Sequence, residues 1–180
     1  MIESEIIQQT EKWIKSVVID LNFCPFAAKA LLKKSVRYVV LKDVDVKQSL
    51  EALCQEFEFL NNHEDIETTF IIFANNFIDF KTYLQLVKKA ENTITKEDYD
   101  GIYQVASFHP DYCFAGSDSD DAANYTNRSM YPMLHLLRED SLTKALALYP
   151  SPELIPEHNI ALARQRGLQY MQMLRAACMS

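Results

Sequence analysis

Glycine is scarce in this chain. Three glycines in 180 residues leave no Gly-rich loop of the kind that cradles phosphates in Walker or dinucleotide-binding motifs. Basic charge is short as well. Lysine and arginine total 18 against 25 aspartates and glutamates, a net charge of −7, which argues against nucleic acid or an anionic membrane as the main partner. No apolar run approaches the roughly 20 residues that span a bilayer. Met1-Ile2-Glu3 leads straight into an amphipathic pattern, without the basic start and apolar stretch of a signal peptide. Paired cysteines are missing too. Cys24, Cys54, Cys113 and Cys178 lie far apart, with no Cys-x-x-Cys or zinc spacing, so thioredoxin-like exchange is disfavoured. A cytoplasmic protein with reduced thiols is the expectation.

What remains is ordinary globular material, 48% hydrophobic and 24% charged, which predicts a single domain over residues 1–180. Ile6, Trp13, Ile14, Val17, Val18 and Leu21 form one stripe, so residues 3–21 read as an amphipathic helix. Asn22-Phe23-Cys24-Pro25 breaks it, and Pro25 suits the start of a second helix reaching about Lys33. Strand, helix and strand follow at 37–41, 45–61 and 67–73. Asp79 can cap the next helix, and Ile102 to Phe108 is a third strand. Beyond a polar stretch, Pro132 to Leu137 reads as a short helix and Asp140 or Ser141 caps another. A last helix runs from Ile160 to Leu174, interrupted by Gly167. The pattern predicts an α/β fold with a small, mostly parallel sheet. Its β-α-β-α-β core is flanked by helices and followed by a helical C-terminal part. The alternative is a ferredoxin-like α+β arrangement, should the polar stretch lead into a further strand.

Ligands of open parallel sheets bind outside the carboxyl ends of the strands. The segment leaving the third strand, from His109 to Arg138, carries most of the chemistry. His109, Asp111 and His135 are candidate acid–base groups. Asp118, Asp120 and Asp121 offer carboxylates to a divalent cation such as magnesium, or form a solvated acidic tip; the glycine and terminal glutamate of an EF-hand are absent. Asn124, Asn127 and Arg128 supply amide and guanidinium donors for a carboxylate or phosphate. On a helix, Tyr131, His135 and Arg138 would share one face, either towards a ligand or as struts pairing with the loop. Cys24 joins this edge by geometry, because a helix running antiparallel to the first strand begins near that strand's carboxyl end. A helix N-terminus favours the thiolate, which makes Cys24 a candidate nucleophile; the plainer reading is a buried packing residue. Cys54 lies on a core stripe.

These residues also carry a resemblance. Leu21-Asn22-Phe23-Cys24-Pro25-Phe26-Ala27, Gln104-Val105-Ala106-Ser107-Phe108-His109-Pro110-Asp111-Tyr112 and Asn124-Tyr125-Thr126-Asn127-Arg128-Ser129 are similar to a numbered bacterial family of unknown function, number 1415. So are Glu67-Thr68-Thr69, Tyr131 to Glu139, Ile155-Pro156-Glu157 and Asn159-Ile160. The resemblance implies a bacterial, cytosolic protein and supplies no mechanism. Its pattern places a polar residue such as glutamine where Cys113 stands, which argues against catalysis by Cys113.

Three classes of function follow. The first is a hydrolase or group transferase acting on a small anionic or phosphorylated substrate at loop 109–138. The second is thiol chemistry at Cys24. The third is a non-catalytic binding or regulatory protein.

Overall fold

The computed structural model describes residues 2–179. Helix α1 (Glu3–Trp13) runs directly into one wider π-helical segment, Ile14–Ile19, closed by the Asp20 N–H donating to the Lys15 carbonyl over 2.9 Å. Single π turns of this kind recur at functional sites. After Asn22, held at φ 54°, the chain enters the short α2 (Ala27–Leu32) and then β1 (Val36–Leu41).

Helix α3 (Val46–Asn62) begins with a reciprocal cap: Asp45 accepts from the Gln48 N–H at 2.8 Å, and Gln48 Oε1 accepts from the Asp45 N–H at 2.9 Å. It delivers the chain to β2 (Thr68–Phe73), which pairs parallel with β1. Helix α4 (Phe80–Lys96) is capped by Asp79, as its sequence predicts, and leads to β3 (Tyr103–Phe108).

The sheet departs from expectation at the next element. Residues 133–138 form a strand, β4 (Met133–Arg138), instead of a short helix. It pairs antiparallel with both β2 and β3, giving the order β1-β2-β4-β3. The sheet is therefore mixed, with one parallel pair, rather than mostly parallel. A further strand does exist, but the order β-α-β-α-β-β is not the β-α-β-β-α-β of a ferredoxin-like fold. The misreading has a physical cause. Met-Leu-His-Leu-Leu lacks β-branched residues, and a strand buried on both faces shows no alternation of polar and apolar positions.

Beyond β4 come α5 (Glu139–Leu146), α6 (Ile155–Arg166) and α7 (Leu168–Ala176). Gly167, at φ 86°, separates the last two as a split rather than a kink. Neither Asp140 nor Ser141 caps α5; the N-cap position is Arg138, whose side chain does not cap the helix. Helices α3 and α4 pack one face of the sheet through Leu53, Phe57, Tyr83 and Leu86. The opposite face carries Trp13, Val17, Tyr125, Ala163 and Met171, from α1, the π segment, α6, α7 and the loop before β4. No helix among the described residues is long and apolar enough to cross a membrane.

Candidate functional site

The carboxyl ends of β1, β2 and β3 point to one edge, and three loops leave it. The first two fasten each other. Asn75 Oδ1 accepts from the Asp43 N–H at 2.9 Å, and Asn76 Oδ1 accepts from the Val44 N–H at 3.1 Å. The third, residues 109–132, holds the candidate chemistry.

Much of that chemistry is internal scaffolding. Asn124 is fully buried; its Oδ1 accepts from the Phe114 N–H at 3.0 Å and the Ser117 hydroxyl at 2.9 Å, while Nδ2 donates to the Asp118 carbonyl at 2.8 Å. Asn127 Nδ2 reaches the Ser107 carbonyl at 3.2 Å and ties the loop to the end of β3. Arg128 donates from Nε to the Tyr112 carbonyl at 2.9 Å and from Nη2 to the Ser119 carbonyl at 2.7 Å, with its guanidinium 4.8 Å over the Tyr125 ring.

His109 is also fully buried. Its Nδ1 accepts from the Asp111 N–H at 2.9 Å, which leaves Nε2 to carry the proton and donate to the Phe77 carbonyl at 2.9 Å. Burial holds its pKa below the ordinary value, and both nitrogens are engaged. Asp111 meets His109 through its backbone in a plain turn, and its side chain is exposed.

The acidic residues do not converge. Asp121 caps the turn at Ala122–Thr126 and pairs with Arg164 at 2.6 Å, and the Arg164 bond first, then the Ala123 N–H, hold its carboxyl down to about 2. Asp118 and Asp120 are exposed. Among the described residues no group of three His, Cys, Asp or Glu side chains is arranged to hold a metal ion.

The strand geometry of β4 separates the three residues expected on one helical face. His135 points to the α1 side, stacked on Phe70 with centroids 3.8 Å apart and its Nε2 2.7 Å from the Thr68 hydroxyl. Because that hydroxyl donates to the Leu136 carbonyl, it accepts from His135, and burial pushes the imidazole down to about 3. Arg138 faces the other side at the far edge of the sheet. It donates to the Leu60, His63 and Ile66 carbonyls at 2.6, 3.2 and 3.1 Å, closing the end of α3 instead of pairing with a loop aspartate. Tyr131 is buried and its hydroxyl bonds Gln9 on α1.

The groups that do meet surround a cavity of about 280 Å³. Val18 of the π segment and Phe23 and Cys24 beyond it form one wall. Phe108, at the end of β3, and Phe114 of the loop form the second, with Thr126 and Asn127 beside them. Pro156, Asn159 and Ile160 of α6 close it. Asn159 Nδ2 donates to the Phe23 carbonyl at 2.7 Å, so α6 is fixed directly to the break that carries Cys24. The lining is mainly apolar, with a thiol, a hydroxyl and two amides.

Cys24 does share the carboxyl edge with His109, but across the sheet from it. Phe108 turns towards Trp13, 5.2 Å away, whereas His109 packs on Tyr83 and Phe80 of α4. Nor is the thiol activated. Burial raises the Cys24 pKa, and the Phe26 and Ala27 N–H groups pull it back only in part. The six-residue α2 supplies little dipole. Sequence reasoning assigned no role to Phe114, Thr126, Asn159 or Ile160. The one signal for the last two was the family resemblance, which includes Asn159-Ile160.

Fold and site together define an α/β protein with a mixed four-stranded sheet and a cavity at the carboxyl end of β3. The chain belongs to the family described as protein of unknown function (DUF1415), whose model matches residues 5–173. That span contains every motif that lines the cavity. Neither the curated proteins nor the solved structures compared with the chain gave a match.

Proposed function

We propose that the protein binds a small, largely apolar molecule with one or two hydrogen-bonding groups in the cavity walled by Cys24, Phe108, Phe114, Asn127 and Asn159. The observation that supports this is convergence. Segments far apart in sequence, among them motifs that carry the family resemblance, meet around one cavity that sets a few polar groups against apolar walls. Its volume of about 280 Å³ lies at the small end of ligand pockets, which run from about 300 to 1,000 Å³. Aromatic walls with a few amides suit a compact ring compound bearing a carbonyl or hydroxyl.

The resting site reads as a binding site rather than a poised catalyst. Burial raises the Cys24 pKa and so favours the thiol form, and His109, a candidate base on the same edge, has both nitrogens bound elsewhere. Thermal unfolding against a panel of small ring compounds tests this reading. A ligand at a hundred times its dissociation constant adds roughly 2.7 kcal/mol. The shift is expected to vanish when Ile160→Trp fills the cavity; a shift that survives that substitution contradicts the assignment.

A second reading, hydrolysis or group transfer on a small anionic or phosphorylated substrate at the loop, keeps one observation in its favour. Arg128 is held in a fixed orientation by two carbonyls, and its Nη1 makes no hydrogen bond to the described residues.

A further inference from the structure

Arg128 is not alone. Arg175, on α7, donates from Nε to the Ser129 carbonyl at 2.8 Å, one residue beyond Arg128. Its two Nη groups make no hydrogen bond to the described residues, and no carboxylate of those residues pairs with either arginine. Both side chains are half-buried. They are anchored independently, Arg128 by the loop carbonyls of Tyr112 and Ser119 and Arg175 by the strand-side carbonyl of Ser129. Tyr125 lies beneath the Arg128 guanidinium, in the 122–126 turn against which α7 packs, and within the field of Arg175. Burial lowers the Arg175 pKa first, and Arg128 lowers it further, while Tyr125 and the exposed Asp111 oppose the shift.

Arg128 and Arg175, each anchored to carbonyls of this loop, lie within each other's field and repel, and in an acidic chain with seven surplus negative charges no carboxylate of the described residues pairs with either. An oxyanion would relieve that repulsion. Guanidinium N–H groups suit the oxygens of phosphate and carboxylate, and these anchors leave Nη1 of Arg128 and both Nη groups of Arg175 oriented without further ordering.

We propose that Arg128 and Arg175 together form a binding site for an oxyanion, the phosphate or carboxylate group of a small molecule, over Tyr125 where the loop passes under α7. The site gives the second reading above a location and extends it to a helix outside loop 109–138. It lies apart from the Cys24 cavity and does not depend on it.

Titration calorimetry of the full chain with inorganic phosphate, and separately with succinate, tests the proposal. Saturable binding of one of them is expected, weakened about tenfold or more in Arg175→Gln, as the loss of a charge-assisted bond implies. Arg164→Gln, which removes an exposed arginine already paired with Asp121, should leave it unchanged. Asp111→Asn removes the nearby competing carboxylate and should tighten binding, an outcome that misfolding cannot mimic. Absence of saturable binding by either anion overturns the proposal. So does binding that Arg128→Gln abolishes and Arg175→Gln spares, although the broader anion reading would then stand. Should Arg175→Gln fail to fold, Asp111→Asn decides: tighter binding supports the pair, and unchanged binding overturns it.

Discussion

The Phe114 N–H donates to Asn124 Oδ1 over 3.0 Å, which hangs one aromatic wall of the cavity on a side chain with no exposed surface. The same oxygen accepts from Ser117 and the amide nitrogen donates to Asp118, so a single residue organises the turn from 114 to 118.

Asn124→Ala should therefore act on stability and ligand binding together. It leaves the Phe114 N–H and the Asp118 carbonyl without partners in a buried setting, a loss of roughly 2–4 kcal/mol if each unpaired group costs 1–3 kcal/mol and some rehydrate. Urea denaturation reads the stability. Asn124→Asp should be worse than Asn124→Ala, since it removes the donor and buries a charge.

His109, fully buried, and His135, half-buried and stacked on Phe70, set an acid limit. Both have pKa values depressed in the folded state, His135 to about 3 from the ordinary 6.5, because burial disfavours the imidazolium. The unfolded chain then binds more protons than the folded one below pH about 6.5, so stability is complete above that pH and declines as it falls. The slope reaches about 1.4 kcal/mol per pH unit for each such histidine, until the folded pKa is passed. Denaturant midpoints between pH 4 and 8 should follow this line, and His135→Phe, which keeps the stack on Phe70, should flatten it.

Cys24 should behave as an unactivated thiol. Its alkylation by iodoacetamide near pH 7 is expected to be slower than that of an unfolded cysteine, rising only above the ordinary thiol range. Peptide mass mapping at several pH values measures this. Fast modification near neutral pH would restore the case for nucleophilic chemistry at this position.

Arg138 ties the end of α3 and the chain beyond it to β4. Arg138→Ala should destabilise by roughly 2–3 kcal/mol, because three carbonyls at the end of α3 lose a charged donor. Arg138→Lys should recover little, since one ammonium cannot reach all three. Ligand or anion binding should be unaffected in whatever fraction remains folded, as Arg138 lies at the opposite edge of the sheet from the cavity.

Periodicity made the helices legible. Leu53, Phe57 and Leu60, like Tyr83, Leu86 and Val87, bury along stripes that a 3.6-residue repeat exposes, and Asp45 and Asp79 mark the starts of their helices. Three strands were equally clear from their β-branched and aromatic runs. Strand β4 was not, because its leucines and methionine favour a helix locally and only pairing with β2 and β3 overrides them. That one element decided whether His135 and Arg138 were neighbours, and it placed them on opposite faces.

The candidate site was legible in position and not in composition. The strand-end rule led to the edge where the loop and Cys24 meet, and both lie there. The polar side chains that drew attention, Asn124, His109 and Arg128, bond to backbone groups of their own loop, since a long irregular segment has many such groups to satisfy. The contribution of α6 depended on a tertiary contact, Asn159 to the Phe23 carbonyl, that no local pattern encodes.

Protein-observed NMR with a library of small ring compounds tests the central claim most directly. Bound compounds should shift the backbone amides of Cys24, Phe114, Asn127 and Asn159 together, and the same compounds should leave Ile160→Trp unperturbed. Compounds that bind but move amides elsewhere, or perturb Ile160→Trp equally, would contradict the cavity as the functional site.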